Sequence, residues 1–172
     1  RAAGALVLVD AAQSAGHLPL DVADWPVDLV ACAGHKGLLG PLGTGLLYVG
    51  PRAEDRLVGL RQGGTGSFSE EDRQPTVLPD RFEAGNPNAP ALCGLEAGLA
   101  YLQERGIEAI HDHELTLTRR LIDGLTPLPG LRIVGPPADG PRVGVVSLVA
   151  EDMEPQVLAT VLDESFAIEA RA

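Results

Sequence analysis

Asp28-Leu29-Val30-Ala31-Cys32-Ala33-Gly34-His35-Lys36-Gly37 decides the fold: an apolar run from Leu29 to Ala33 ends abruptly in a polar, glycine-flanked turn. A short apolar run without alternation reads as a strand buried on both faces of a largely parallel sheet. Lys36, inside the turn, is the sole lysine of the chain; the other 12 basic residues are arginines. Arginine replaces lysine on most surfaces, but its guanidinium stays protonated and cannot serve as an amine nucleophile. A single lysine in a glycine-rich turn at a strand end therefore points to amine chemistry.

Working outward, Ala5-Leu6-Val7-Leu8-Val9 is a second apolar run, stopping at Asp10, and Gly45-Leu46-Leu47-Tyr48-Val49 is a third, bounded by Gly50 and Pro51. In open α/β sheets ligands bind beyond the carboxyl ends of the strands, which is where Asp10 and His35-Lys36 fall. Residues 61–90 read as a long loop containing Gly63-Gly64-Thr65-Gly66-Ser67, several acids and four prolines (75, 79, 87 and 90). A loop of that length in a folded unit is usually functional or contacts another subunit.

The periodicity then turns helical over 89–105, with Leu92, Leu95, Leu99 and Leu102 on one face and Gly106 closing the helix. A second amphipathic helix is predicted over 107–125, with Ile110, Leu117, Leu121 and Leu125 inward. Two short strands follow at 131–134 and 143–149, then a helix over 154–163 and a terminal strand over 166–172. This tail reads as a smaller α+β unit, which places domains at 1–105 and 106–172.

Composition narrows the partners. With 172 residues, 45% of them hydrophobic, the chain can bury a substantial core. A net charge of −11 disfavours nucleic acid and anionic membrane as main partners and suits a small-molecule ligand. The apolar runs are far shorter than a membrane span and residue 1 opens no signal-peptide pattern, so a cytoplasmic location is expected. Cys32 and Cys93 form neither a metal cluster nor a disulfide framework and are read as buried thiols, with Cys93 inert on the apolar side of a helix between Leu92 and Leu95. Chain ends that fall in or beside strands suggest part of a longer protein.

Around Lys36 the residues suit an aldehyde cofactor. Pyridoxal phosphate needs an amine to bind it, an acid to keep its ring nitrogen protonated, and donors for its phosphate. Lys36 supplies the amine, Asp10 the acid, Gln13 a donor to the ring hydroxyl, and His35 a donor to the phosphate, with glycines letting backbone N–H groups approach.

Four motifs now stand in order over about 80 residues. They are Val9-Asp10-Ala11-Ala12-Gln13-Ser14-Ala15-Gly16-His17; Gly34-His35-Lys36 with Gly40-Pro41 and Gly43-Thr44-Gly45; Gly63-Gly64-Thr65-Gly66-Ser67; and Arg81-Phe82-Glu83-Ala84-Gly85-Asn86-Pro87-Asn88. Together they resemble the class V aminotransferase family, in its cysteine desulfurase and selenocysteine lyase branch.

The resemblance implies an α/β, aspartate-aminotransferase-like enzyme of pyridoxal-phosphate fold type I, homodimeric, with part of the large cofactor domain and part of the small C-terminal domain present. By that resemblance Lys36 is the Schiff-base residue, Asp10 binds the ring nitrogen, Gln13 the ring hydroxyl and His35 the phosphate. Thr65 reaches the phosphate of the neighbouring subunit. The implied reaction removes sulfur from L-cysteine, giving alanine and an enzyme persulfide for a sulfur-acceptor protein. An aminotransferase, a selenocysteine lyase, an epimerase and a non-catalytic fragment remain alternatives.

Two departures bear on this reading. Relatives carry a serine or threonine as phosphate ligand where this chain has Ala33. The persulfide cysteine and the arginine for the substrate carboxylate belong to a segment that would only begin at Arg171, the one candidate here for substrate binding. Residues 1–172 alone are therefore expected to be inactive as a desulfurase.

Two rival sites fail on geometry. Gly40 to Gly45 has some P-loop glycine spacing, but the lysine precedes the glycines and Leu46 stands where a Walker lysine would. His111 and His113 lie two apart on a predicted helix, about 200° around its axis, and cannot share a metal.

Overall fold

A computed structural model describes residues 2–64 and 70–172, which divide into two compact units, one ending at Ile107 and the other Glu108–Ala172. In the first unit, β1 (Leu8–Asp10), β2 (Leu29–Ala33) and β3 (Gly45–Val49) form one sheet in the order β1-β2-β3. β1 and β2 run parallel, with Asp10 opposite Ala31, so that Asp10 and the turn after β2 leave the sheet at the same edge.

β3 is antiparallel to β2, with Ala33 opposite Gly45, against the expectation of a largely parallel sheet. The reason is the connection. Residues 34–44 turn back as a tight loop, whereas a parallel return needs a crossover of roughly a dozen residues or more.

The strands are also less covered than their composition suggests. Leu8, Leu46 and Leu47 are 56%, 48% and 51% exposed, while Leu29 and Val30 are buried. Helix α2 (Ala89–Arg105) lies against the loop after β2 rather than across the strand faces. A Cβ at Gly98 would stand 2.6 Å from the Leu38 carbonyl oxygen, and one at Gly94 would stand 2.6 Å from the Pro41 ring. Small residues one turn apart thus let the helix backbone settle onto the Leu38–Pro41 segment, with Leu95 buried beside Gly40.

Asn88 caps α2, its side-chain oxygen accepting from Ala91 N, and Gly106 ends it at φ 80°. Cys93 is exposed on this helix and Cys32 half-buried, so neither is the buried thiol expected. The reason for Cys93 is phase: the buried positions of α2 are Ala91, Leu95, Gly98 and Leu102, and Leu92 and Cys93 fall outside that stripe.

A short helix α1 (Pro51–Glu54) follows β3. It is fastened by Arg52, whose guanidinium pairs at 3.1 Å with Asp28, a carboxylate 1% exposed that also accepts from Val7 N at 2.8 Å. A buried acid needs such partners, and this one ties the start of β1 to β2 and α1.

In the second unit, α3 (Ile107–Leu125) is followed by a two-stranded antiparallel sheet, β4 (Leu131–Val134) and β5 (Ser147–Ala150), and by α4 (Pro155–Phe166). The inward face of α3 is not the one expected. Thr118 and Ile122 are buried, whereas Leu117 and Leu121 are 52% and 50% exposed. The buried stripe is rotated by one residue because the helix carries leucines on both sides of it.

The terminal strand expected over 166–172 is absent among the described residues. α4 extends through Phe166, and Ala167 adopts φ 53° while its N–H and that of Ile168 return to Asp163 O and Leu162 O. That left-handed cap turns the chain away from an extended continuation.

Candidate active site

The site is assembled from two turns. β1 ends at Asp10, whose Oδ1 accepts from Ala12 N at 2.9 Å, and Ala11 N donates to Ala31 O at 2.8 Å. The side-chain turn and the continued ladder fix where the chain leaves the sheet. Ser14 N and Ala15 N then return to Ala11 O at 3.1 and 2.9 Å, so that Gln13 rides an exposed turn directly beyond Asp10, itself exposed.

The second turn carries His35 and Lys36, both exposed. It is closed on itself at three levels: Gly34 N to Thr44 O at 2.9 Å, Gly40 N to Gly34 O at 2.7 Å, and Leu39 N to Lys36 O at 2.9 Å. Leu39 sits at φ 59°, a left-handed conformation that a leucine tolerates only where its surroundings dictate it. The Thr44 hydroxyl donates to Pro41 O at 2.7 Å and is 8% exposed. Lys36 is thus mounted on a rigid loop.

The two turns dock through missing side chains. A Cβ on Gly37 would fall on the Ala15 carbonyl oxygen and the His17 ring, and a Cβ on Gly16 would fall on the Gly37 carbonyl oxygen. Gly16 also stands at φ 87°. The turns that carry Asp10 and Gln13 and His35 and Lys36 therefore pack against each other at one sheet edge, because glycine is present at both contact points. Gly16 lies within the first motif and Gly37 directly follows Lys36, but nothing in the sequence marks either as a contact point between the turns.

Asp10 has one further electrostatic consequence. Burial, and then the neighbouring Asp10 carboxylate, push the Cys32 thiol above its ordinary pKa. Cys32 stays a neutral thiol beside the site, a poor nucleophile.

Ala33 offers no hydroxyl, and the Thr44 hydroxyl nearby in register is committed to Pro41 O. Thr65 lies outside the described residues, but the loop leading to it is defined. Gly63 N donates to Gln74 Oε1 at 3.0 Å, Gly85 N donates to Gly63 O at 2.8 Å, and Gly64 has φ 60°. The glycine loop and the Arg81-to-Asn88 motif are consequently in contact. Arg81 itself is a fastener, donating to Glu54 O and Leu57 O at 2.8 Å each. Arg171 is exposed in the second unit, and His111 and His113 lie within α3.

Comparison with known proteins follows the same residues. The family model described as aminotransferase class-V matches residues 1–172. The chain belongs to that family. A curated relative from Methanothermobacter thermautotrophicus, named "Probable cysteine desulfurase", is 38% identical over 168 residues, which are 96% of this chain and 41% of the relative.

The apo structure of a cysteine desulfurase from Thermococcus onnurineus NA1 superposes with a TM-score of 0.80 at 35% identity, covering 98% of this chain and 42% of that one. C-DES, a cystine C–S lyase, superposes at 30% identity over 92% of this chain and 42% of its own. TM-scores are 0.78 for a mutant with glycine covalently linked to its PLP cofactor and 0.73 for the complex with its product, cysteine persulfide. This chain thus spans about two fifths of the relatives it matches. Its α/β fold is that of the type I PLP-dependent enzymes. Among the described residues no helix is long and apolar enough to cross a membrane.

Proposed function

We propose that the protein is a pyridoxal-phosphate-dependent cysteine desulfurase that uses Lys36 as its amine. One observation carries this reading: the Lys36 turn docks on the Asp10–Gln13 turn, at the edge where β1 and β2 end, through two glycines that admit no side chain. The residues fit the cofactor. An exposed amine, a carboxylate, a carboxamide and an imidazole lie on the two turns that pack at that edge.

In this reading Lys36 holds the cofactor aldehyde, Asp10 faces the ring N–H, Gln13 donates to the ring hydroxyl, and His35 donates to the phosphate. The bound cofactor supplies an electron sink for the substrate's α carbon. The chain does the positioning and the proton transfer. Asp10, its carboxylate directed by the Ala12 N–H, would pair with the ring N–H of a bound cofactor, and that fixed direction would save reorganisation during reaction. Lys36 Nζ would carry the cofactor aldehyde and, when free, would accept the substrate's α proton, with the closed 34–44 loop fixing the backbone from which that nitrogen extends.

The reading takes residues 1–105 as part of the large cofactor domain and 106–172 as part of the small domain. It expects a homodimer in the cytoplasm acting in sulfur metabolism, a sulfur-acceptor protein, Thr65 on the partner's phosphate, and Arg171 near the substrate carboxylate. The test is product analysis of the full-length protein with L-cysteine and a thiol reductant, where alanine and sulfide are expected in equal amounts. A second reading, favoured by the likeness to C-DES, is a cystine C–S lyase. Cysteine persulfide from cystine, without alanine from cysteine, selects that reading instead.

A further inference from the structure

The imidazole of His17, to which the proposed reaction gives no part, lies against the residue that follows Lys36. The lysine's own peptide groups are bonded within the turn, its N–H donating to Ala33 O at 3.4 Å and its carbonyl accepting from Leu39 N at 2.9 Å. Gly37 has no side chain with which to anchor what comes next. The three heavy atoms nearest to where its Cβ would stand are the Ala15 carbonyl oxygen, His17 Nε2 at 2.5 Å and His17 Cδ2 at 2.6 Å. One edge of the ring therefore runs along Gly37. His17 is half-buried and its backbone is fixed, with His17 N and Leu18 N both donating to Ser14 O, at 3.0 and 2.9 Å.

We propose that His17 is a positioning residue for Lys36, its ring edge forming a wall that fixes Gly37 and with it the backbone from which Lys36 extends; this rests on the pyridoxal-phosphate reading above. Glycine has the widest choice of backbone conformations and loses the most freedom on ordering, so a glycine beside a reacting residue keeps its place only through what surrounds it. Around Gly37 those surroundings are Ala15 O, the Gly16 backbone that meets the Gly37 carbonyl, and the imidazole. The first two come with the fold of the turn. The imidazole is the part that a substitution removes. A flat ring with two rotatable bonds suits the position, because ordering it costs little side-chain entropy. Truncation to a methyl group leaves a gap whose lining loses its packing partners, and a misplacement of about 1 Å at a reacting group can cost about a hundredfold in rate.

The test compares His17→Ala, His17→Gln and Arg52→Leu in the full-length protein. Arg52 bonds Asp28, at the opposite end of β2 from Lys36, so Arg52→Leu lowers stability by leaving a buried carboxylate without its cation. Four quantities are measured: amide exchange at Leu39 and the unfolding midpoint in the cofactor-free protein, the rate at which added pyridoxal 5'-phosphate acquires the absorption of its lysine-bound form, and kcat and KM for L-cysteine. His17→Ala is expected to speed Leu39 exchange and to lower both the attachment rate and kcat about ten- to a hundredfold, with KM within about twofold. His17→Gln, whose planar amide reaches about as far as Nε2, should recover most of these losses. Arg52→Leu should lower the midpoint more than His17→Ala does, yet keep the attachment rate within about twofold of wild type.

A wild-type attachment rate and kcat in His17→Ala overturn the positioning role while leaving the cofactor reading intact. A His17→Gln variant as impaired as His17→Ala also overturns it, because a wall of the same reach would then not suffice. Equal losses of attachment rate in Arg52→Leu and His17→Ala do the same, since the rate would follow stability alone. Absence of cofactor binding by the wild-type protein overturns both readings.

Discussion

The turn that carries Lys36 and the helix α3 both mix apolar and polar residues, yet they keep their shapes by different means. The turn is held by its own backbone, with Gly34 bonded to Gly40 and Thr44 and Gly37 pressed against Ala15 and His17. In α3 the hydrogen bonds specify only that a helix exists, and its orientation depends on which side finds a neighbour: Thr118 and Ile122 do, Leu117 and Leu121 do not. Geometry set by local bonds and missing Cβ atoms is written in the residues that make it. Geometry set by burial is written partly in residues elsewhere.

Five substitutions break or sharpen that contrast. Lys36→Ala is expected to have the largest effect, removing cofactor attachment and lowering turnover by at least about a thousandfold, since both the attaching amine and the proton acceptor are lost. Loss of the visible absorption of the lysine-bound cofactor and steady-state alanine formation measure it. Asp10→Asn should lower turnover by about a hundredfold with a smaller change in KM, because it removes charge rather than shape.

On the packing side, Gly37→Ala should destabilise the first unit by about 1–3 kcal/mol and weaken cofactor binding, as its methyl group must displace the Ala15 carbonyl or the His17 ring. Ile122→Ala should cost about 2–4 kcal/mol in urea unfolding. Leu121→Ala, one residue away, should cost within about 0.5 kcal/mol. Equal costs at 121 and 122 would mean that the leucine face of α3 is covered after all.

The smallest effect concerns Cys32. Its thiol pKa is raised by burial and then by Asp10, so the folded protein holds that proton more tightly than the unfolded chain. The resulting stability is fully present below the thiol's ordinary pKa and is lost as pH rises through the raised folded value. Asp10→Asn removes the second cause only. The pH midpoint for Cys32 alkylation should therefore fall in the variant yet stay above that of a free cysteine.

These outcomes bear on how much of the molecule was legible beforehand. The bounds of α2 and α3 were readable because Pro90, Gly106 and the leucine spacing mark them locally. The candidate residues Asp10, Gln13, His35 and Lys36 were readable as strand-end residues, and the parallel pairing of β1 with β2 places them at one edge. The reversal of β3 was missed because a glycine loop of that length permits a hairpin, and the apolar run of a strand does not encode its direction. The terminal strand was missed because residues 166–172 carry strand-like side chains, while the αL turn at Ala167 is a backbone event with no glycine to announce it. The bond from Gly63 N to Gln74 left no signal either, since a glutamine in a loop looks like solvated surface until its partner is known.

The central claim, that Lys36 is the cofactor's amine, is tested most directly by borohydride reduction of the full-length protein with pyridoxal 5'-phosphate, followed by peptide mass mapping. The account predicts a reduced pyridoxyl group on the peptide carrying Lys36, absent in Lys36→Ala. An unmodified Lys36 peptide in the wild-type protein would contradict it.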